Sequence, residues 1–323
     1  MHCTPTTRLR LLTLLAAVAL LAAACGDSAG GGEGAESGVA SEVDLSEAEV
    51  TVGSKSFTEQ LILGQIALQA LEAAGASVTD QIGLVGTNVV REALESGEID
   101  MYWEYTGTAW INILGNTDPV PGAQEQWEAV AEADVANDLT WLPPAPGNNT
   151  YALAAGPSAP EDVTTISDYA DLVASDPEAA SLCTAAEFVD RSDGLPGLEE
   201  HYGFDLPDSA VTQLDFGLVY TSAGQGDPCQ FAAVFATDGR VLTQDLRILE
   251  DDQAFFPQYN VALVIRDEVY EAAPEAYDAL FGPISEALTD EALTTLNAAV
   301  DVEGESPEDV ARQFLVDSGI VGE

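Results

Sequence analysis

The sequence predicts an α/β protein of two lobes with a ligand in the cleft between them, on three observations. Strand-like runs alternate with helical runs through the first third of the chain, the pattern of parallel strands joined by helical crossovers. Two stretches, 141–147 (Trp-Leu-Pro-Pro-Ala-Pro-Gly) and 255–259 (Phe-Phe-Pro-Gln-Tyr), break that alternation and read as crossings. An apolar strand and further helices follow the second crossing, so the chain leaves the first lobe, builds the second and comes back. Open sheets of this kind take ligands beyond the carboxyl ends of their strands, where helix N-termini point.

The elements follow in order. Val50, Thr51 and Val52 form a short buried strand that runs into a loop, 53–59, where Ser56 and Glu59 have capping-box spacing. Leu61, Ile62, Ile66, Leu68 and Leu71 line a helix that stops at Gly75. A second strand is expected at 81–85, with Thr87 placed to cap a helix over 88–96 that Gly97 closes. A third strand occupies 99–103, and Thr106 or Thr108 caps a helix to Leu114. Strands of the second lobe are expected at 151–154, 181–185 and 231–236, and the return strand at 261–265. Helices at 290–299 and 306–318 finish the chain, the last opened by Ser306-Pro307.

The N-terminal residues describe an address. Arg8 and Arg10 precede an apolar run over 11–24 that is too short to span a bilayer and has the layout of a secretory signal. It ends Leu21-Ala22-Ala23-Ala24-Cys25-Gly26, which resembles a bacterial lipobox, with Cys25 as the acylated residue; an ordinary signal cleaved near Ala24 is the alternative. Residues 28–42 are rich in Gly, Ser, Ala and Glu, too poor in large apolar groups to offset the entropy of ordering. The expected division is a signal peptide over 1–24, a lipid-anchored flexible tether over 25–48, lobe one over 49–147 plus 260–323, and lobe two over 148–259. The mature protein is expected outside the cytoplasm, anchored to the outer face of the cell membrane. Cys183 and Cys229 remain in it, and sequence leaves open whether they pair in that oxidising compartment.

Asp and Glu number 56 against 9 Lys and Arg, for a formal charge of −47. Such a surface repels nucleic acid and excludes it as a partner. Lys55 is the single lysine of the chain, which suggests a specific task for its ammonium. Catalysis has little to stand on: one of two histidines, His2, lies in the signal, and no Gly-x-Ser-x-Gly, phosphate loop or Cys/His metal cluster occurs. No enzyme, metal or cofactor is therefore expected. Aromatic residues instead gather at element ends. Tyr102, Trp103 and Tyr105 close the third strand, Tyr151 opens lobe two, Phe235 ends a strand, and Tyr259 sits on the second crossing. Such rings more often pack in cores, but several converging on a cleft would cage a quaternary ammonium by cation–π attraction.

Six motifs in one order carry a resemblance. They are Gly53-Ser54-Lys55-Ser56-Phe57-Thr58-Glu59-Gln60, Gly97-Glu98-Ile99-Asp100 leading to Glu104-Tyr105-Thr106-Gly107-Thr108, Arg191-Ser192-Asp193-Gly194 with Pro196-Gly197-Leu198, Ala236-Thr237-Asp238-Gly239-Arg240, Glu250-Asp251-Asp252, and Phe255-Phe256-Pro257. Over 50–316 the sequence resembles the substrate-binding proteins of osmoprotectant ABC importers for glycine betaine, choline and carnitine. The resemblance implies a type II periplasmic-binding-protein fold and a monomer that hands a betaine to a membrane permease. It also implies that Tyr105, Tyr151, Tyr259 and Phe235 face the trimethylammonium, together with the backbone carbonyl near Asn149. Lys55, Thr108 and Arg191 would meet the ligand carboxylate. The competing role for Arg191 is a structural salt bridge to Asp190 or Asp193. Glycine betaine or proline betaine is expected, because choline lacks a carboxylate and would leave two cations desolvated; choline or carnitine is the alternative ligand, and an exported carboxylate-dependent hydrolase the rival class.

Overall fold

The computed structural model describes residues 38–322 apart from 117–119 and 121. The signal peptide, Cys25 and the first part of the tether lie outside the described residues.

The chain runs β1 (Glu49–Lys55), α1 (Thr58–Ala73), β2 (Ser77–Leu84), α2 (Thr87–Ser96), β3 (Met101–Tyr105), α3 (Thr106–Thr108), α4 (Ala123–Asp134) and β4 (Leu139–Trp141). Then come β5 (Tyr151–Ala155), α5 (Ile166–Ser175), β6 (Leu182–Thr184), α6 (Ala186–Asp190), α7 (Leu195–Tyr202), β7 (Val211–Gln213), α8 (Phe216–Gln225), β8 (Phe231–Phe235), α9 (Arg240–Thr243) and β9 (Arg247–Ile248). The return is β10 (Val261–Arg266), followed by α10 (Asp267–Tyr270), α11 (Pro274–Ala287), α12 (Asp290–Asp301) and α13 (Pro307–Asp317).

Two five-stranded sheets result, ordered β2-β1-β3-β10-β4 and β7-β6-β8-β5-β9. In the first, β1 lies parallel to β2 and β3, while β10 runs antiparallel to β3 and β4. In the second, β6 is parallel to β7 and β8, and β5 is antiparallel to β8 and β9. The strands β3, β5 and β10 are buried on both faces along nearly their whole length, β5 and β10 as largely apolar runs and β3 with the buried Glu104 among its aromatic residues. This is the mixed α/β, two-sheet architecture that the alternating pattern predicts.

The departures have local causes. Strand β2 begins at Ser77, four residues before the expected start, because it is an edge strand whose polar residues stay exposed against β1. The helix α1 is capped by Phe57 without a side-chain bond, so Ser56 and Glu59 form no capping box; Glu59 turns inward instead. Gly86, not Thr87, caps α2, and the Thr87 hydroxyl reaches Glu187 at 3.0 Å. Neither Thr106 nor Thr108 makes a side-chain cap: Thr106 Oγ1 donates to the carbonyl of Gln258, and Thr108 precedes a π-helix over Ala109–Ile113 without a capping bond.

Order also begins before residue 49, inside the stretch expected to be tether. Val39–Glu42 forms a 3-10 turn whose Val39 and Ala40 amides donate to Gly319 and Ile320 carbonyls at 3.1 and 2.9 Å. Ala40 and Leu45 are buried in the main core. Their partners lie at the far end of the sequence, so local composition alone points to a free segment. In the second sheet a disulfide joins Cys183 on β6 to Cys229, just ahead of β8.

Candidate functional site

A cavity of about 630 Å³ opens between the two sheets. Its wall contains the eight residues that the resemblance assigns to the ligand: Lys55, Tyr105, Thr108 and Asn149, then Tyr151, Arg191, Phe235 and Tyr259. Of the other rings at the end of the third strand, Tyr102 bonds Glu104 and Trp103 packs on Phe281, and neither lines it. The topology explains the convergence. Parallel neighbours β1 and β3 end on the same side of their sheet, which delivers Lys55 and Tyr105 together. Tyr151 opens β5 and is the register partner of Phe235, which ends the antiparallel β8. Tyr259 precedes β10, whose first residue Val261 is paired with Tyr105. Gly107 permits that approach, since a Cβ there would lie 2.6 Å from the Gln258 oxygen and 2.8 Å from a Tyr259 ring carbon.

The rings form a connected wall. Tyr151 lies 4.9 Å from Phe235 between centroids and stands edge-on to Tyr259 at 5.9 Å. Three rings that sequence reasoning did not assign to the site, Phe57, Phe188 and Phe216, complete it. Phe57 bridges Tyr105 and Phe235 at 6.2 and 5.4 Å, Phe188 packs at a tilt on Tyr151 at 5.1 Å, and Phe216 likewise on Phe235 at 4.6 Å. Phe57 stands inside the Gly53–Gln60 motif, so its position was a signal available in the sequence; Phe188 and Phe216 carry none.

Each cation in the wall comes with its own anion. Lys55 Nζ sits 2.6 Å from Glu104 Oε1, and Glu104 also accepts from the Tyr102 hydroxyl at 3.0 Å and the Tyr105 amide at 2.7 Å. Arg191 holds Asp193 with two donors, Nε at 2.7 Å and a second through Nη2, and reaches Glu187 at 3.2 Å. The Asn112 oxygen, with its amide turned to suit the guanidinium, accepts from Arg191 at 2.7–2.8 Å. The pair to Asp193 is the structural salt bridge weighed as the competing role for Arg191. Burial opposes the Arg191 charge, but the Tyr151 hydroxyl and Asp193 beside it hold its pKa well above the ordinary range. Both cations also lie near rings, Lys55 Nζ 5.2 Å from the Tyr105 centroid and Arg191 Cζ 5.4 Å from that of Tyr151.

Two ring hydroxyls end on carboxylates. Tyr259 donates to Asp193 at 2.6 Å and Tyr105 to Glu59 at 2.7 Å. Burial, and then the neighbouring carboxylates, push both phenols well above their usual pKa, so both stay neutral donors. Asn149 donates its amide to Glu59 at 2.8 Å, while its Oδ1 is buried without a hydrogen-bond partner. Among the described residues no cluster of His, Cys, Asp and Glu is arranged to hold a metal, and no helix is long and apolar enough to cross a membrane.

Residues 48–317 match the family described as the substrate binding domain of ABC-type glycine betaine transport systems. The chain is 39% identical over 279 residues to the glycine-betaine-binding protein of Pseudomonas aeruginosa, covering 84% of this chain and 88% of that one. It is 32% identical over 279 residues to the ergothioneine transport permease/ergothioneine binding protein EgtU of Helicobacter pylori, covering 85% of this chain and 49% of that one. The solved structure of apo YehZ from Escherichia coli superposes with a TM-score of 0.64 at 34% identity, over 84% of this chain and 99% of that one.

Proposed function

The chain belongs to the family of substrate-binding domains of ABC-type glycine betaine transport systems, and from that premise we propose that its cleft captures a betaine through the eight residues described above. It is a substrate-binding protein of an importer and not an enzyme. The family works outside the cytoplasm. The ligand's trimethylammonium sits against the faces of Tyr105, Tyr151, Tyr259 and Phe235 near Asn149, and its carboxylate meets Lys55, Thr108 and Arg191. The observation that carries this is the meeting of four predicted rings and both predicted cations on one cavity, from six separate stretches of sequence. Residues 49–147 with 260–323 act as one lobe and 148–259 as the other, and closure around ligand is what the permease reads. The protein acts as a monomer.

Calorimetric titration against glycine betaine, proline betaine, carnitine and choline tests the assignment. Glycine betaine or proline betaine is expected to bind at least tenfold tighter than choline, about 1.4 kcal/mol. Choline binding as tightly as either would remove the carboxylate from the assignment.

A bulkier betaine is a second occupant worth including. The cavity reaches past the rings to Thr87, Asn88 and Asn112, leaving room for a substituted betaine such as ergothioneine. Cys25 anchors the protein through a lipid. Cys25→Ala should move it from the membrane fraction to the soluble one, and wild type found wholly soluble would contradict the anchor.

A further inference from the structure

Glu59 is fully buried at the start of α1, and its two oxygens take four donors. Oε1 accepts from the Tyr105 hydroxyl at 2.7 Å and the Asn149 amide at 2.8 Å, and Oε2 from the Thr237 hydroxyl at 3.1 Å and the Asn297 amide at 2.8 Å. An ionised carboxylate has about four acceptor positions, and here each oxygen fills two. Each oxygen takes one amide nitrogen, which can only donate, and one hydroxyl, which donates in this arrangement. The N-terminus of α1 adds a favourable dipole. Burial raises its pKa above the ordinary carboxylate value, and the four hydrogen bonds offset part of that rise.

What Glu59 lacks is a cation. Among the described residues it makes no ion pair, whereas Glu104 and Asp193 have Lys55 and Arg191. A buried charge without a partner is costly, and such charges persist where something compensates them. Glu59 stands outside the wall of the large cavity, behind Tyr105, whose ring is part of that wall. Hydrogen bonds in series polarise one another. A phenol donating to a carboxylate gains electron density on its ring, which strengthens attraction for a cation at its face.

We propose that Glu59 is a positioning anion of the cage, which fixes and polarises the Tyr105 ring and supplies the negative charge that the ligand's quaternary ammonium completes. This rests on the betaine assignment above. Glu59 touches no ligand; it acts through Tyr105, one hydrogen bond away.

The test is a double-mutant cycle of Glu59→Gln and Tyr105→Phe, titrated with glycine betaine, with thermal unfolding of the unliganded proteins measured beside it. Glu59→Gln should weaken binding about tenfold and Tyr105→Phe about fivefold, and the double variant should be no weaker than Glu59→Gln alone. Losses that simply multiply, or an unchanged Glu59→Gln, would overturn the proposal. Thr237→Val separates a charge from a strut: it removes another donor to Glu59 while leaving the ring bond, and should keep affinity within about twofold. A loss equal to that of Tyr105→Phe would make Glu59 a structural brace only. If Glu59→Gln does not fold, Tyr105→Phe against Tyr151→Phe decides, since both keep the ring and only Tyr105 bonds a carboxylate; equal losses overturn the proposal. Wild type that binds no betaine would instead sink the betaine assignment, and this proposal with it.

Discussion

The two sides of the cleft solve one problem in different ways. Each presents a cation, a buried carboxylate and a tyrosine whose hydroxyl ends on a carboxylate. On the first-sheet side the duties are divided: Glu104 holds Lys55, and Glu59 holds the Tyr105 hydroxyl. On the opposite side one carboxylate does both, since Asp193 grips Arg191 with two donors and also accepts from Tyr259. Divided duties can be lost one at a time, whereas a shared carboxylate fails as a unit.

That contrast predicts where the largest effect lies. Asp193→Asn should remove the charge opposite a buried guanidinium and loosen Tyr259 together. Breaking a buried pair costs about 3–5 kcal/mol, and with Glu187 and Asn112 still at hand the lower end is expected. Denaturant melting of the unliganded protein measures it, with betaine binding lost beyond about a hundredfold. A variant as stable as wild type would show that Asp193 is not the keystone of that side.

Lys55→Met should be milder for the fold, because Glu104 keeps its bonds to Tyr102 and the Tyr105 amide. Glycine betaine should lose about 2 kcal/mol with its carboxylate underpaired. Choline should bind as before or better, since a positive charge is gone and a carboxylate is freed beside the cage. Parallel titrations with the two ligands check this, and equal losses would mean that Lys55 supports the fold and does not read a carboxylate.

The smallest effect should come from Phe235→Tyr. Its ring is only half-buried among Phe57, Tyr151 and Phe216, so a hydroxyl has the cavity to enter. Affinity should move by no more than one hydrogen bond, about 1 kcal/mol. Collapse of binding in titration would show a wall packed around the smaller ring.

Much of this was legible in the sequence because the features are local. The alternation of elements, the two crossings and the rings at strand ends each occupy a few consecutive residues, and topology gathers them. The anions were so only in part. Asp193, two positions after Arg191, is one of two neighbours that its position offers as a salt-bridge partner, but among 56 acids nothing marks Glu104 as the partner of Lys55. Glu59 looks like a capping residue by spacing, and only the fold shows that Thr237 and Asn297, far along the chain, donate to it. The first half of strand β2, 77–80, hides because an edge strand keeps polar side chains exposed. Phe188 and Phe216 reach the cavity from helical positions that no short-range pattern distinguishes.

The bonds from Val39 and Ala40 to Gly319 and Ile320 have a topological consequence. They bring the first and last described segments into contact, so the described chain nearly closes on itself, with its opening between residues 39 and 320. A permuted protein, with those ends linked and new ones cut in the exposed 251–254 turn, would keep every strand pairing of both sheets. Its new termini would then lie beside Phe255–Tyr259, where a fused fluorophore would sit close to the cavity that Tyr259 lines.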